Sequence, residues 1–301
     1  MALEAADEWA DRICSVYFHL LNVDGGQELQ ALSREIPPRL SAYSNDVRLN
    51  PALFARIEAL YAQRDSLSLT AEEQTALENH YLGFVRNGAA LSAEDQARLR
   101  EIDAELSVLG PKFGEHVLKA TQAYALWIED EALVQALPGS ARAAAKQAAK
   151  AADRPDAWKF TLDMPSYIAV MTYLPDAALR REMYVAYSSR CLEGETSNLP
   201  LIRELLRLRE ARARLLGYPT HTAYTLERRM VGNLETLEAF YARMLPVVKP
   251  AAARDMEELR DCKARHTGES ALHPWDVAYW SEKRKQEAYE LDQEALRPYF
   301  E

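Results

Sequence analysis

Residues 272–283 read Leu-His-Pro-Trp-Asp-Val-Ala-Tyr-Trp-Ser-Glu-Lys, and they predict the start of a helix packed by aromatic side chains. Trp275 and Tyr279 are four residues apart, so on a helix they share one face. Pro274 suits the first helical turn, where its missing N–H costs nothing. The stretch is followed by Leu-Arg-Pro-Tyr-Phe at residues 296–300.

Composition and charge narrow the class of protein. The chain has 301 residues, of which 48% are hydrophobic and 27% charged, values typical of a globular protein with a substantial core. A net charge of −10 disfavours nucleic acid or an anionic membrane as the main partner. No apolar run reaches membrane-spanning length, and the first residues lack the basic segment of a signal peptide.

The three cysteines, Cys14, Cys191 and Cys262, form no CxxC pair, which favours a reducing compartment. The expected location is the cytoplasm.

Helical periodicity dominates the sequence. One apolar stripe at spacings of three and four predicts a helix near the start of the chain. It consists of Leu3, Ala6, Trp9, Ala10, Ile13, Val16, Tyr17 and Leu20. Asn50 before Pro51 is typical of a helix start, and Thr70 followed by Glu73 matches a capping box.

Prolines interrupt two of the helical patterns. Pro37 and Pro38 lie inside the segment 29–43, so a break is expected there. Ser92 begins the longest helix, and Pro111 within it predicts a kink because one backbone hydrogen bond is lost.

A period-two pattern occurs at residues 158–164. Trp158, Phe160, Leu162 and Met164 alternate with polar side chains, which predicts a strand with one buried face that ends at Pro165. The chain offers no convincing partner strand, so we expect the partner to lie outside these residues.

Two further helices are predicted to face solvent. Residues 139–152 are rich in alanine and lysine, with high helix propensity and little apolar bulk. The helix that starts at Pro200 alternates arginine with glutamate, which is typical of a solvated charged face rather than a phosphate site.

The histidines do not form a zinc-hydrolase motif. HExxH needs two histidines one helical turn apart, with a glutamate beside the metal-bound water. None of the six histidines has another at i+4: they are His19, His80, His116, His221, His266 and His273. Glu115-His116 has the wrong order, and His266 and His273 are seven residues apart across a glycine-containing loop. Surface or core positions are expected for all six, and no metal or catalytic residue is assigned.

Other catalytic motifs are also absent from the sequence. It contains no GxSxG, P-loop or GxGxxG. Adjacent acidic pairs such as Glu257-Glu258 do not face each other on a helix, so they are poor acid–base dyads. Substrate-binding residues stay unassigned.

Five stretches in order resemble the thimet oligopeptidase family of zinc peptidases, and within it the bacterial members. They are residues 91–113, 158–173, 179–190, 215–224 and 272–300, which include Leu-Asp-Met-Pro-Ser-Tyr at 162–167 and Pro-Trp-Asp-Val-Ala-Tyr-Trp at 274–280. Together they cover essentially the whole chain. No single motif is specific, but five in the same order make chance similarity a poor explanation.

The resemblance implies a mainly helical, zincin-type fold with two halves facing a deep channel that admits short peptides and excludes folded proteins. It also implies zinc held by the two histidines of HExxH and a downstream glutamate. In the family these residues follow the stretch that ends at Phe300, so none is carried over. We therefore expect zinc in the full-length family member and none in this chain.

The predicted class is all-α with one short β element. Residues 1–155 are expected to form an N-terminal helical domain that serves as a channel wall, and residues 156–301 the start of a peptidase domain. The ending at Pro298–Glu301 stops inside a family motif, which favours an internal portion of an oligopeptidase. Its expected partners are short peptides and the catalytic C-terminal half. The alternative is a non-catalytic helical scaffold or interaction protein derived from that family.

Overall fold

A computed structural model describes residues 7–290 and Tyr299, and it is mainly helical as predicted. Leu3, Ala6 and most of the 296–300 motif lie outside the described residues. The first elements are α1 (Glu8–Asp24), α2 (Gln27–Arg48), α3 (Pro51–Ala62), α4 (Ala71–Val85), α5 (Ala93–Gln122), β1 (Leu126–Ile128), α6 (Glu131–Val134) and α7 (Gly139–Lys150). They are followed by β2 (Trp158–Phe160), α8 (Met164–Tyr173), α9 (Ala177–Ser188), α10 (Leu199–Leu215), α11 (His221–Leu226), α12 (Leu234–Thr267), a 3-10 turn (Pro274–Asp276) and α13 (Val277–Tyr289). None of the described helices has the length and apolar character needed to cross a membrane.

The chain divides into two compact units. One comprises residues 1–115 and 200–234, and the other comprises residues 116–199 and 235–301. Position 155 falls inside the second unit. The compact units divide the chain at other positions, and the assignment of 1–155 and 156–301 to two family domains stays a prediction.

The helix starts follow their local sequence. The Asn50 side chain accepts a hydrogen bond from the backbone N–H of Leu53 at 3.0 Å, with Pro51 at the first helical position. Thr70 and Glu73 form the predicted capping box: the Thr70 hydroxyl accepts from Glu73 N–H at 3.3 Å, and Glu73 accepts from Thr70 N–H at 2.8 Å. These contacts confirm both predictions, because each satisfies N–H groups that have no partner within the helix.

Replacing Thr70 by alanine is expected to lower the free energy of unfolding by about 1 kcal/mol, because the cap at the start of α4 is lost. The measurement is urea unfolding followed by circular dichroism. Thr75→Ala is the matched control, since Thr75 is an exposed residue inside the same helix. The control should be neutral or slightly stabilising, because alanine has the higher helix propensity. Equal losses in both variants would contradict the capping role.

The predicted break at Pro37 and Pro38 is wrong. Helix α2 runs from Gln27 to Arg48 with both prolines inside it. Each proline loses its own N–H bond and crowds the carbonyl four residues before it, but the remaining backbone bonds continue the helix, which also packs against α1. Helix α5 likewise continues through Pro111. The kink at Pro111 stays a prediction.

The partner of the predicted strand lies within this chain, contrary to expectation. β2 pairs antiparallel with β1, with Leu126 opposite Phe160 and Ile128 opposite Trp158. The strand is also shorter than predicted, because Met164 already begins α8 and is 51% exposed. A three-residue strand such as β1 carries too little periodicity to be recognised from sequence.

Helix α7 is not the exposed helix that was predicted. Ala145 and Ala149, one turn apart, are buried, and the helix packs against β2. Their low bulk allows close approach to the sheet, so the alanine-rich composition indicates tight packing here. The core of the second unit is formed by buried residues of β1, β2, α8 and α9, among them Leu126, Phe160, Val170 and Met183.

Candidate functional site

A buried ion-pair network holds the segment 272–280. Arg180 on α9 donates from Nη2 to Oδ1 of Asp276 at 2.7 Å, and Lys263 on α12 donates from Nζ to Oδ2 at 2.9 Å. The backbone N–H of His273 donates to the same Oδ2 at 3.2 Å. Arg180 is 2% exposed and Asp276 1% exposed, so the charges are removed from water and compensate each other.

Arg180 also donates to three backbone carbonyls, which lie in two separate segments. Its Nη1 donates to the carbonyls of Leu174 and Pro175 at 2.7 and 2.8 Å, and its Nε donates to the carbonyl of Trp275 at 3.0 Å. The guanidinium lies over the ring of Tyr279 at 4.3 Å from its centroid, an arrangement that adds cation–π attraction. The predicted aromatic helix start therefore exists, and a buried arginine positions it.

Electrostatics make this network structural rather than catalytic. Burial alone would raise the pKa of Asp276, but hydrogen bonds from Lys263, Arg180 and the His273 N–H outweigh burial and hold the pKa below its usual range. A carboxylate that stays ionised and has both oxygens engaged is poorly suited to exchange protons at neutral pH. The network instead fixes the 3-10 turn and the start of α13.

The charged helix α10 is only partly solvated. Arg207 pairs with Glu204 on the surface, as predicted for a mixed charge run. Arg212 differs: it is 17% exposed and donates to Asp103 of α5 at 2.7 Å and to Asn87 at 3.2 Å. The prediction of a solvated face is wrong for Arg212, because tertiary packing places a partner carboxylate opposite it.

Among the grooves that the described residues form, two of the larger ones could hold a small ligand. One, of about 640 Å³, lies beside α7 and α8 and is lined in part by Asp163 and Ser166. No histidine lines it, and the Ser166 hydroxyl accepts the backbone N–H of Thr161 at 2.9 Å. The other, of about 1100 Å³, lies in the first unit and is lined in part by Cys14 and His80. Neither groove contains a group of three potential metal ligands among the described residues.

The structure pairs His266 with residues other than His273. Across residues 7–290, the one group with three converging potential metal-ligand atoms is Cys262, His266 and Glu287. His273 instead stacks on Trp275, with ring centroids 4.7 Å apart. The search for a second histidine at i+4 missed this group, although a cysteine one turn before His266 was a signal in the sequence.

In this group the pKa of the thiol and the pKa of the carboxylate are shifted in opposite directions. Burial raises the pKa of Cys262, and the neighbouring Glu287 raises it further. The pKa of Glu287 is lowered, chiefly by a hydrogen bond from Arg265, whose Nη2 lies 2.9 Å from Glu287 Oε2. Arg265 therefore stabilises the charged carboxylate, whereas burial favours the protonated form of the thiol.

Several of the described helices expose apolar side chains, and α1 and α12 carry the most of them. On α1 most of the described part of the predicted stripe lies in solvent: Trp9 is 74% exposed and Ile13 66% exposed, whereas Tyr17 is partly buried. The second surface, here called the α12 apolar face, consists of Phe240, Tyr241, Met244, Leu245, Val247 and Val248, each at least 36% exposed. Leu259 and Cys262, further along α12, are buried. Apolar patches of this kind commonly mark interaction surfaces.

Comparison with known proteins gives consistent matches. Residues 170–301 match the sequence profile of Peptidase family M3. Oligopeptidase A of Salmonella typhimurium is 36% identical over 99% of this chain, and that of Haemophilus influenzae is 35% identical over the whole chain. Dipeptidyl carboxypeptidase of Escherichia coli is 28% identical over the whole chain.

The chain spans less than half the length of these relatives, 44% of the Salmonella protein and 45% of the Haemophilus protein. The similarity extends over all five stretches that carried the resemblance, and it confirms that resemblance. Peptidases of this family are hydrolases, and the helical fold described above agrees with membership. Residues 170–301 thus match peptidase family M3, and the whole chain is similar to oligopeptidase A.

Proposed function

We propose that the chain is part of a zinc metallo-oligopeptidase that hydrolyses internal bonds of short peptides, and that it supplies the channel wall. The observation that carries the proposal is similarity to oligopeptidase A along the whole chain, combined with coverage of 44% of that relative. A wall of packed helices would limit the size of substrate that reaches the catalytic residues. Asp276 stabilises the fold, and no catalytic residue is assigned to either groove. Both observations agree with a chain that supports the catalytic half and does not itself carry out hydrolysis.

The residues present do not fit the catalytic zinc of such an enzyme. That ion needs two histidines one helical turn apart and a carboxylate, and none of the six histidines here has another at i+4. The donor set that converges in the described residues contains one histidine, one cysteine and one glutamate. We therefore assign the zinc and its chemistry to the remainder of the enzyme, and none of the steps of hydrolysis to this chain.

The α12 apolar face is the proposed contact with that remainder. The face has apolar side chains at spacings of three and four, for example Phe240, Met244 and Val248, as on a helix that packs against another element. Its exposure leaves large apolar side chains in water, which is unfavourable by roughly 25 cal/mol per Å² of apolar surface. Covering by the catalytic half would remove this cost.

A fusion tests the proposal. The chain alone should hydrolyse no short fluorogenic peptide above a heat-treated sample. A fusion of this chain to the part of Salmonella oligopeptidase A beyond the aligned region should be an active enzyme. It should cleave the peptide and leave folded proteins intact. Phe240→Glu in the fusion should reduce peptide cleavage at least about tenfold, since a buried unpaired charge is costly.

Val185→Glu is the matched control, because Val185 is similarly exposed, at 46%, on a different helix of the same unit. It should leave cleavage unchanged. Cleavage by the chain alone would place the active site within these residues and overturn the proposal. Full activity of the Phe240→Glu fusion would exclude the α12 apolar face as the contact.

The second candidate is a scaffold or interaction protein that uses its exposed apolar faces to bind other proteins. The exposure of Trp9 and Ile13 on α1 favours it. A natural stop codon directly after Glu301 would support the scaffold, whereas a reading frame that continues into an HExxH helix would support the peptidase. We also propose a cytoplasmic location, in keeping with three free thiols.

A further inference from the structure

Three side chains with metal-binding atoms meet where α12 contacts α13. Cys262 and His266 are four residues apart, so they lie on one face of α12, and Glu287 reaches them from α13. Cys262 Sγ is 3.7 Å from Glu287 Oε2, and His266 Nε2 is 3.0 Å from Glu287 Oε1. One ligand atom from each residue lies within 4.8 Å of the other two.

These separations approach those of a tetrahedral zinc site. With zinc bonds of about 2.3 Å to sulfur and about 2.0 Å to nitrogen and oxygen, tetrahedral angles put ligand atoms roughly 3.3–3.6 Å apart. The observed sulfur–oxygen and nitrogen–oxygen distances lie on either side of that range. The two distances end on different oxygens of Glu287, so its carboxylate would have to rotate to offer one oxygen to an ion that Cys262 and His266 also bind.

The orientation of His266 is also suitable. Its Nδ1 lies 2.9 Å from the carbonyl oxygen of Cys262. A proton on Nδ1 donated to that carbonyl leaves the lone pair on Nε2, the nitrogen that faces Glu287. Metal-binding histidines commonly have their second nitrogen held in this way.

The three proposed ligands differ in how far they are exposed to solvent. Cys262 is fully buried, whereas the side chains of His266 and Glu287 are 41% and 39% exposed. An ion could therefore reach the site from the His266 and Glu287 side, and the thiol would lie beneath it. Trp280 packs against His266, with ring centroids 5.4 Å apart, and forms an apolar wall.

We propose that Cys262, His266 and Glu287 bind one zinc-class ion, with a water molecule in the fourth position, and so join α12 to α13. Thiolate, imidazole and carboxylate are ligands that zinc and cobalt accept together. On binding, the thiol proton of Cys262 and the proton between His266 Nε2 and Glu287 Oε1 pass to water, and Arg265 gives up its contact with Glu287 Oε2. The ion replaces the charge of that arginine beside the carboxylate.

Cobalt titration of the 301-residue chain, with a phosphine reductant present, tests the site. The expected result is one bound cobalt ion per chain, with a thiolate-to-cobalt charge-transfer band in the near ultraviolet and the visible bands of tetrahedral cobalt. Zinc should displace it stoichiometrically. Cys262→Ser should abolish the charge-transfer band, and Glu287→Gln should keep the band but weaken binding at least about tenfold, as loss of a supporting group already does.

The matched control replaces both remaining cysteines, Cys14→Ser and Cys191→Ser, and should bind cobalt with the same spectrum and affinity. Circular dichroism checks that each variant is folded. If Cys262→Ser fails to fold, Glu287→Gln decides, because that side chain is partly exposed. A parent chain without the band, a band that persists in Cys262→Ser, or unchanged affinity in Glu287→Gln would overturn the proposal.

Discussion

Replacing Asp276 by asparagine should lower the free energy of unfolding by about 3–5 kcal/mol, the cost of breaking a buried ion pair by removing one partner. Asparagine has nearly the same shape but no charge. The buried cations Arg180 and Lys263 would then have no counter-ion. The measurement is urea unfolding of the parent chain and of Asp276→Asn. The urea concentration at the midpoint should fall, and the dependence of the unfolding free energy on urea should stay the same.

Glu257→Gln is the control for Asp276, because the Glu257–Arg260 pair is a surface ion pair with both side chains well exposed. Its loss should change stability by at most about 0.5 kcal/mol. A similarly small effect of Asp276→Asn would show that water reaches the network and compensates for the lost charge.

Asp276 also predicts a pH dependence. Its pKa is lower in the folded chain than in the unfolded one, so its contribution is present above the unfolded value, about 4, and is lost as pH falls through the folded value. The stability difference between the parent and Asp276→Asn should therefore shrink between neutral pH and the acid range. A difference that grew as pH fell would contradict the lowered pKa.

Phe160→Ala should destabilise the chain by about 3–5 kcal/mol, as expected for truncation of a buried phenylalanine. Phe160 is 1% exposed and lies in the main core of the second unit, opposite Leu126 in the sheet. The loss has two parts: the transfer of the ring from water, and the cavity that remains. Urea unfolding with far-ultraviolet circular dichroism measures it.

Met164→Ala is the matched control for Phe160, because the sequence pattern places both side chains on one strand face. Met164 is 51% exposed at the start of α8, so its truncation should cost less than about 1 kcal/mol. Trp158 is only partly buried, so Trp158→Ala should fall between the two. Equal losses at Phe160 and Met164 would mean that the period-two pattern continues beyond the observed strand.

Local features of this protein were determined by the sequence itself. Thr70 and Glu73, the partners of the capping box, are three positions apart, and so are Asn50 and Leu53. Such hydrogen bonds form within one helical turn, so neighbouring residues suffice to specify them. The resemblance to the peptidase family could also be recognised from the sequence, because each of its motifs is a short run of neighbouring residues.

Long-range contacts were decided by the tertiary structure. Asp276 meets Arg180 across 96 positions, and β2 pairs with β1 although β1 is too short to be recognised from its own sequence. The Ala145–Ala149 face was predicted to be exposed because composition does not reveal what packs on it. Glu287 joins Cys262 and His266 only because α13 lies beside α12. Contacts within a turn specified the starts of helices such as α3 and α4, whereas the partners of buried charges, strands and ligands depend on burial that only chain folding creates.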